Sequence, residues 1–211
     1  MVLDPKSGTK HNILALGAHP DDIELGAFGS LIKWSQNSSI TMLVATNGEA
    51  GASDGTDRVD EARKSAESIN AKIVFLALRD GFLAHDLTMV NTIEGMIKET
   101  AADLILVNHP NDLHQDHRNL ALASLSAARR AKRVLLYETP STTRDFTPNF
   151  YVEIREQLEQ KCQALCNHRS QLNKQYMDQD SVYSVAAHHA LNINRPGRFY
   201  EAFEVFRYVV D

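Results

Sequence analysis

Ile13-Leu14-Ala15-Leu16-Gly17-Ala18-His19-Pro20-Asp21-Asp22-Ile23-Glu24-Leu25-Gly26 passes from an apolar run through a polar turn into an amphipathic segment. A buried strand feeding a turn and a helix is the repeating unit of an open α/β sheet. Ligands of such sheets bind in the crevice beyond the carboxyl ends of the strands. A histidine and two aspartates therefore stand where chemistry is best placed. Gly26 and Gly29 follow near the start of the expected helix. Glycine weakens a helix, so its presence there predicts a close approach of backbone to sheet or ligand.

The rest of the chain repeats the unit. Apolar runs predict strands over 12–18, 40–46, 72–78, 103–107 and 133–137. Amphipathic periodicity predicts helices over 23–36, 58–70, 88–100 and 118–130. Strands alternating with helices at this spacing imply an α/β class fold: a Rossmann-like, open, mainly parallel sheet with helices on both faces. Beyond Glu138 the pattern loosens into a loop over 139–149, a helix over 153–168, a short helix over 181–191 and an alternating final strand over 200–209. No repeat, low-complexity tract or linker divides the chain, so residues 1–211 read as a single domain.

Composition narrows the function. Hydrophobic residues make up 43% and charged residues 23%, ordinary for a globular protein. The net charge of −5 argues against a general nucleic-acid binder, which would carry a basic surface. No stretch approaches a membrane span, and Met1-Val2-Leu3-Asp4-Pro5-Lys6 has no apolar signal region, so a cytoplasmic location is expected. Cys162 and Cys166 lie four apart in a helical stretch, too few for a disulfide framework or a cysteine-based zinc site. They read as two reduced thiols.

His19 and Asp22 are metal-ligand types three positions apart, and a turn entering a helix can aim both at one point. A second cluster, Asn108-His109-Pro110-Asn111-Asp112-Leu113-His114-Gln115-Asp116-His117, follows the fourth strand and offers a third ligand. Two ligands from one strand end and one from another make the three-ligand arrangement of a catalytic zinc, which keeps a position open for water. Either His114 or His117 can supply the third ligand. His109 and Asp112 repeat the His-Pro-x-Asp pattern but read as decoys, because a further protein ligand would close the site. Asp21 stands beside a ligand and is a candidate to accept a proton from water at the ion; the plainer alternative is an N-cap of the following helix. If His117 binds the metal, His114 faces the same cavity as a protonated imidazole held by Asp116, steadying an oxyanion and protonating the leaving amine.

The Ala18-His19-Pro20-Asp21-Asp22 turn together with His114-x-Asp116-His117 resembles the PIG-L/LmbE-like family of zinc-dependent N-deacetylases, which act on N-acetylglucosamine-type sugars. The likeness extends to Thr46-Asn47-Gly48-Glu49, Arg58-x-x-Glu61-Ala62 and Tyr200-Glu201-Ala202-Phe203. It implies zinc held by His19, Asp22 and His117, Asp21 as general base, His114 with Asp116 as the electrophilic pair, and a small N-acetylated sugar as substrate. It also implies sugar contacts from Arg58 and Asp80 and assembly into a homo-oligomer. A helix-surface ion pair and a turn aspartate are the plainer readings of those last two residues.

There are departures from the family pattern. Ser53-Asp54 replaces an arginine that many members carry in the glycine-rich loop, and His188-His189-Ala190 with Asn194-Arg195-Pro196-Gly197-Arg198 replaces a glycine- and tyrosine-rich segment. Three rival readings are a receiver-type phosphoacceptor, a dinucleotide-binding oxidoreductase, and a zinc-binding member without turnover that acts as a partner or regulator. The first lacks a lysine after the fifth strand and the second lacks Gly-x-Gly-x-x-Gly after the first strand. The third is opposed by the full set of proposed catalytic groups.

Overall fold

The structure, a computed structural model, describes residues 10–51 and 57–210. The N-terminal hexapeptide and the Ser53-Asp54 departure lie outside these residues.

Seven strands form one sheet in the order β3-β2-β1-β4-β5-β7-β6. They are β1 (Asn12–Gly17), β2 (Ser39–Thr46), β3 (Lys72–Leu78), β4 (Leu104–Asn108), β5 (Arg133–Tyr137), β6 (Phe150–Glu153) and β7 (Tyr200–Tyr208). The first five are parallel to one another, with Ile13 level with Ile40 on one side and Leu104 on the other. β7 runs antiparallel between β5 and β6. The helices are α1 (Asp22–Ser35), α2 (Arg58–Glu67), α3 (Leu87–Glu99), α4 (Gln115–Ala127), α5 (Leu158–Cys166) and α6 (Gln179–Asn192).

Strand periodicity of two splits the core between the faces. Ile13 and Ala15 of β1 with Leu104 and Leu106 of β4 pack under α1, α2, α5 and α6. Leu14, Leu16, Ile105 and Val107 pack under α3 and α4. Strands buried on both faces read as unbroken apolar runs, which is why the central strands were legible. Asp57, Asp86 and Asp178 cap α2, α3 and α6 by accepting backbone N–H bonds.

Two expected helix boundaries are corrected. The helix expected over 153–168 is shortened to α5, because Phe150-Tyr151-Val152-Glu153 pairs with β7 as an edge strand. Helix α4 begins at Gln115 rather than Arg118, which puts His114 at its N-cap and His117 in its first turn. Strand order reverses between β1 and β4, the switch point at which an open α/β sheet has its natural crevice. The two histidine clusters emerge at the carboxyl ends of those two strands.

Candidate metal centre

The turn after β1 is shaped by Asp22. Its Oδ2 accepts the backbone N–H of Ala18 at 2.9 Å and of His19 at 2.8 Å. This leaves Oδ1 facing the Nε2 of His117, 3.2 Å away. Thr46 at the end of β2 holds the same turn, donating its N–H and its hydroxyl to the Ala18 carbonyl.

Three side chains converge. His19 Nδ1 lies 3.2 Å from His117 Nε2, and Asp22 faces His117 through Oδ1 at 3.2 Å and His19 through Oδ2 at 3.6 Å. Zinc bonds of about 2.0–2.1 Å at tetrahedral angles place neighbouring ligand atoms about 3.3 Å apart, close to the His19–His117 and His117–Asp22 separations. Each imidazole is fixed from its other nitrogen. His19 Nε2 meets Asp80 Oδ1 at 3.1 Å and Asp116 Oδ2 at 3.3 Å, while His117 Nδ1 meets Asp112 Oδ2 at 3.2 Å. A carboxylate behind a metal-facing imidazole sets its tautomer and orientation.

Two alternative groupings are geometrically close. Ligand atoms of His19, His114 and His117 lie within 4.8 Å of one another, as do those of His19, Asp80 and Asp116. The second is already satisfied, since Asp116 also accepts the N–H of Gly81 at 2.6 Å and of Leu83 at 3.0 Å. In the first, His114 uses Nδ1 to accept the N–H of Asp116 as the cap of α4, leaving Nε2 as the nitrogen that carries the proton. The His19, Asp22, His117 set has separations of 3.2–3.6 Å.

The electrostatics agree. Burial alone would lower the His19 imidazole, but hydrogen bonds to Asp116, Asp22 and Asp80 push it up to about 12. His117, also opposed by burial, is pushed up to about 10 by Asp22 and Asp112. Asp22 is held well below the usual carboxylate range, because the charge of His117 and its hydrogen bond outweigh burial. Asp112 is likewise lowered against burial by His117, Ser141 and Thr139. Four carboxylates around two buried imidazoles favour positive charge, and a dication meets that demand as protons do.

Asp21 is not the N-cap that one reading expected. It occupies the cap position of α1 without a side-chain cap bond, in a strained backbone conformation with φ 119°. Its Oδ1 lies 3.2 Å from Arg58. Burial raises the Asp21 carboxyl to about 6, the Arg58 charge pulling it down and Asp22 pushing it up. Such a group is a base matched to neutral pH.

Three other expectations change. His114 is not held by the Asp116 carboxylate, which is turned to His19, and its pKa is lowered by burial and by the charges of His19 and His117. These surroundings disfavour the imidazolium that was expected. Arg58 is buried and donates to the carbonyls of Pro20 at 2.6 Å and Gly48 at 3.0 Å, so it braces Asp21 instead of forming a surface ion pair. Asp80, lowered mainly by its bond to His19, also accepts the Ala50 N–H. His19, Asp21, Asp22, Arg58, Asp80, His114 and His117 border a cavity of about 440 Å³ that Ala50, Ser141, Lys174 and Tyr176 complete.

Sequence reading missed part of this arrangement. Asp112 is no ligand, yet it is the group that orients His117, gripped in turn by Thr139 and Ser141 at 2.6 Å each. The repeated His-Pro-x-Asp pattern was its signal, read too narrowly as a competing ligand pair.

The family model described as GlcNAc-PI de-N-acetylase, PIG-L, matches residues 14–128. An uncharacterized deacetylase of Escherichia coli K12, YaiS, is 34% identical over 172 residues, 76% of this chain and 92% of that protein. The solved N,N'-diacetylchitobiose deacetylase of Pyrococcus horikoshii superposes with a TM-score of 0.80 at 21% identity, over 93% of this chain and 83% of that one. A hydratase, GalB of Pseudomonas putida KT2440, gives 0.80 at 16% identity over 96% and 98% of the two chains, so this fold serves more than one chemistry. With the matched model covering the first strand through both histidine clusters, the chain belongs to the PIG-L family.

Proposed function

We propose that the protein is a zinc-dependent hydrolase that removes the acetyl group from an N-acetylglucosamine-type amino sugar. The observation that carries the reading is the His19, Asp22, His117 cluster with the Arg58-paired carboxylate of Asp21 beside it in the lining of one cavity. The names of two relatives, YaiS and the diacetylchitobiose deacetylase, support the direction. Imidazole and carboxylate donors without cysteine suit zinc. A dication held there would supply Lewis acidity to the amide carbonyl and to the attacking water.

The protein's own groups do the rest. Asp21 takes a proton from the attacking water as its oxygen bonds to the acetamide carbon. The Nε2–H of His114 donates to the carbonyl oxygen as charge builds there, a contact stronger in the transition state than before it. When the C–N bond breaks, Asp21 passes the proton to the departing amine, and acetate and the free amino sugar remain. His114, being neutral, does not serve as that acid. Asp116 and Asp112 hold the two metal-facing rings, and Arg58 holds Asp21. Arg58 and Asp80 line the cavity, but Arg58 is held by the Pro20 and Gly48 carbonyls against Asp21 and Asp80 is bonded to His19, and we assign them positioning roles.

The test is to incubate metal-loaded protein with N-acetylglucosamine and a panel of its glycosides, measuring acetate and new primary amine in equal amounts. Equal release from any member supports the reading. No release from the whole panel, with the metal still bound, favours the family member without turnover.

A further inference from the structure

A second cavity of about 250 Å³ lies beside the catalytic one. Leu25, Pro140 and Tyr176 line both, so the two spaces share a wall. Its far side is the apolar face of α6, Val182, Val185 and Ala186. Neither the family match nor the proposed chemistry uses this space.

The charged groups and threonine hydroxyls around it are already paired, and one buried nitrogen of the lining, His189 Nδ1, has no partner. Lys161 pairs with Glu201 at 2.6 Å and donates to the Leu25 carbonyl at 2.7 Å, and Glu201 also accepts the N–H of Gly29 and Ser30. Glu138 is paired with His189. The hydroxyls of Thr139 and Thr142 are bonded to Asp112. A sugar ring placed here would bury several hydroxyls against a lining whose charged groups and threonines are already paired and whose one unpartnered nitrogen, His189 Nδ1, is itself buried, at a desolvation cost, whereas hydrocarbon meets Leu25, Pro140, Tyr176 and the α6 face without loss. We infer that this second cavity receives an apolar group carried by the amino sugar, an alkyl or aryl aglycone reaching across the Leu25, Pro140, Tyr176 wall. The inference rests on the deacetylase reading for what occupies the first cavity.

The experiment compares the methyl and hexyl β-glycosides of N-acetylglucosamine and N,N'-diacetylchitobiose on the metal-loaded protein, measuring Kd by calorimetry and kcat/KM by acetate release. Burying one methylene favours binding about fourfold, so the hexyl glycoside is expected to bind at least about tenfold tighter than the methyl one. Val185 is 50% exposed, so Val185→Glu should fold normally, checked by its melting curve. That variant is expected to bring the hexyl-to-methyl ratio close to one. Equal Kd for the two glycosides in the wild-type protein overturns the inference. A hexyl preference that survives Val185→Glu also overturns it, because the alkyl group then sits elsewhere. Tighter binding of diacetylchitobiose than of the hexyl glycoside replaces an apolar compartment with a carbohydrate one. Absence of acetate from every glycoside removes the deacetylase reading alone, since the calorimetric comparison still judges the cavity.

Discussion

His114 and Asp21 carry the sharpest expectations at the scale of single residues. His114→Ala should lower kcat about 10²–10³-fold, the range for one lost oxyanion donor, and leave bound metal unchanged when measured by elemental analysis. His117→Ala should lose the metal itself. Asp21→Asn should retain the metal and lose about 10²–10⁴ in rate, the range for a general base. The backbone at position 21 makes a separate prediction. Asp21→Gly and Asp21→Ala both remove the carboxylate, but only glycine accepts φ 119° without strain, so the glycine variant should be more stable by about 1–3 kcal/mol in denaturant titration. The proximity of His19, Asp22 and His117 was legible in the sequence because His19 and Asp22 share one short turn and His117 opens a helix after a plainly apolar strand. Charge states were not legible. Whether Asp116 faces His114 or His19 depends on the backbone of Gly81 and Leu83, which the chain brings in from another strand end.

Among the elements, α1 depends on buried ionic partners that no local pattern announces. Lys161 of α5 and Glu201 of β7 meet against its backbone, both nearly inaccessible. Lys161→Met would leave Glu201 buried without its cation and should cost about 3–5 kcal/mol, read from chemical denaturation. Glu24 of α1 and His168 form a second such pair at 3.1 Å. Burial disfavours the His168 cation, but Glu24 outweighs it and raises the pKa above the ordinary 6.5. A raised value means the pair stabilises the fold fully below 6.5 and loses that contribution as pH rises through the folded value. The melting-temperature gap between wild type and His168→Gln should therefore be widest in mild acid and narrow with rising pH; a gap that widens instead would refute the assignment. Strand β6 was not legible for a related reason. Phe150-Tyr151-Val152 has strand propensity, but its partner β7 comes some fifty residues later, and a charged segment following it mimics a helix.

For the whole molecule, the alternation of strands and helices gave a mainly parallel sheet with helices on both faces and placed the histidine clusters at the ends of its first and fourth strands. The antiparallel closure by β7 and β6 depends on pairing that only the folded chain displays. Chelation should abolish acetate release and lower the melting temperature. Metal restored at a hundred times its Kd should return about 2.7 kcal/mol of stability. The proposed centre also sets a limit on when an ion could arrive. Its two imidazoles are 98 positions apart, and the second is steadied by Thr139 and Ser141 farther on. During translation, a growing polypeptide that has extruded only its first hundred residues has no pocket to offer. Loading is consequently a late step in biogenesis, and ribosome-stalled fragments ending before His117 should retain no cation after gel filtration.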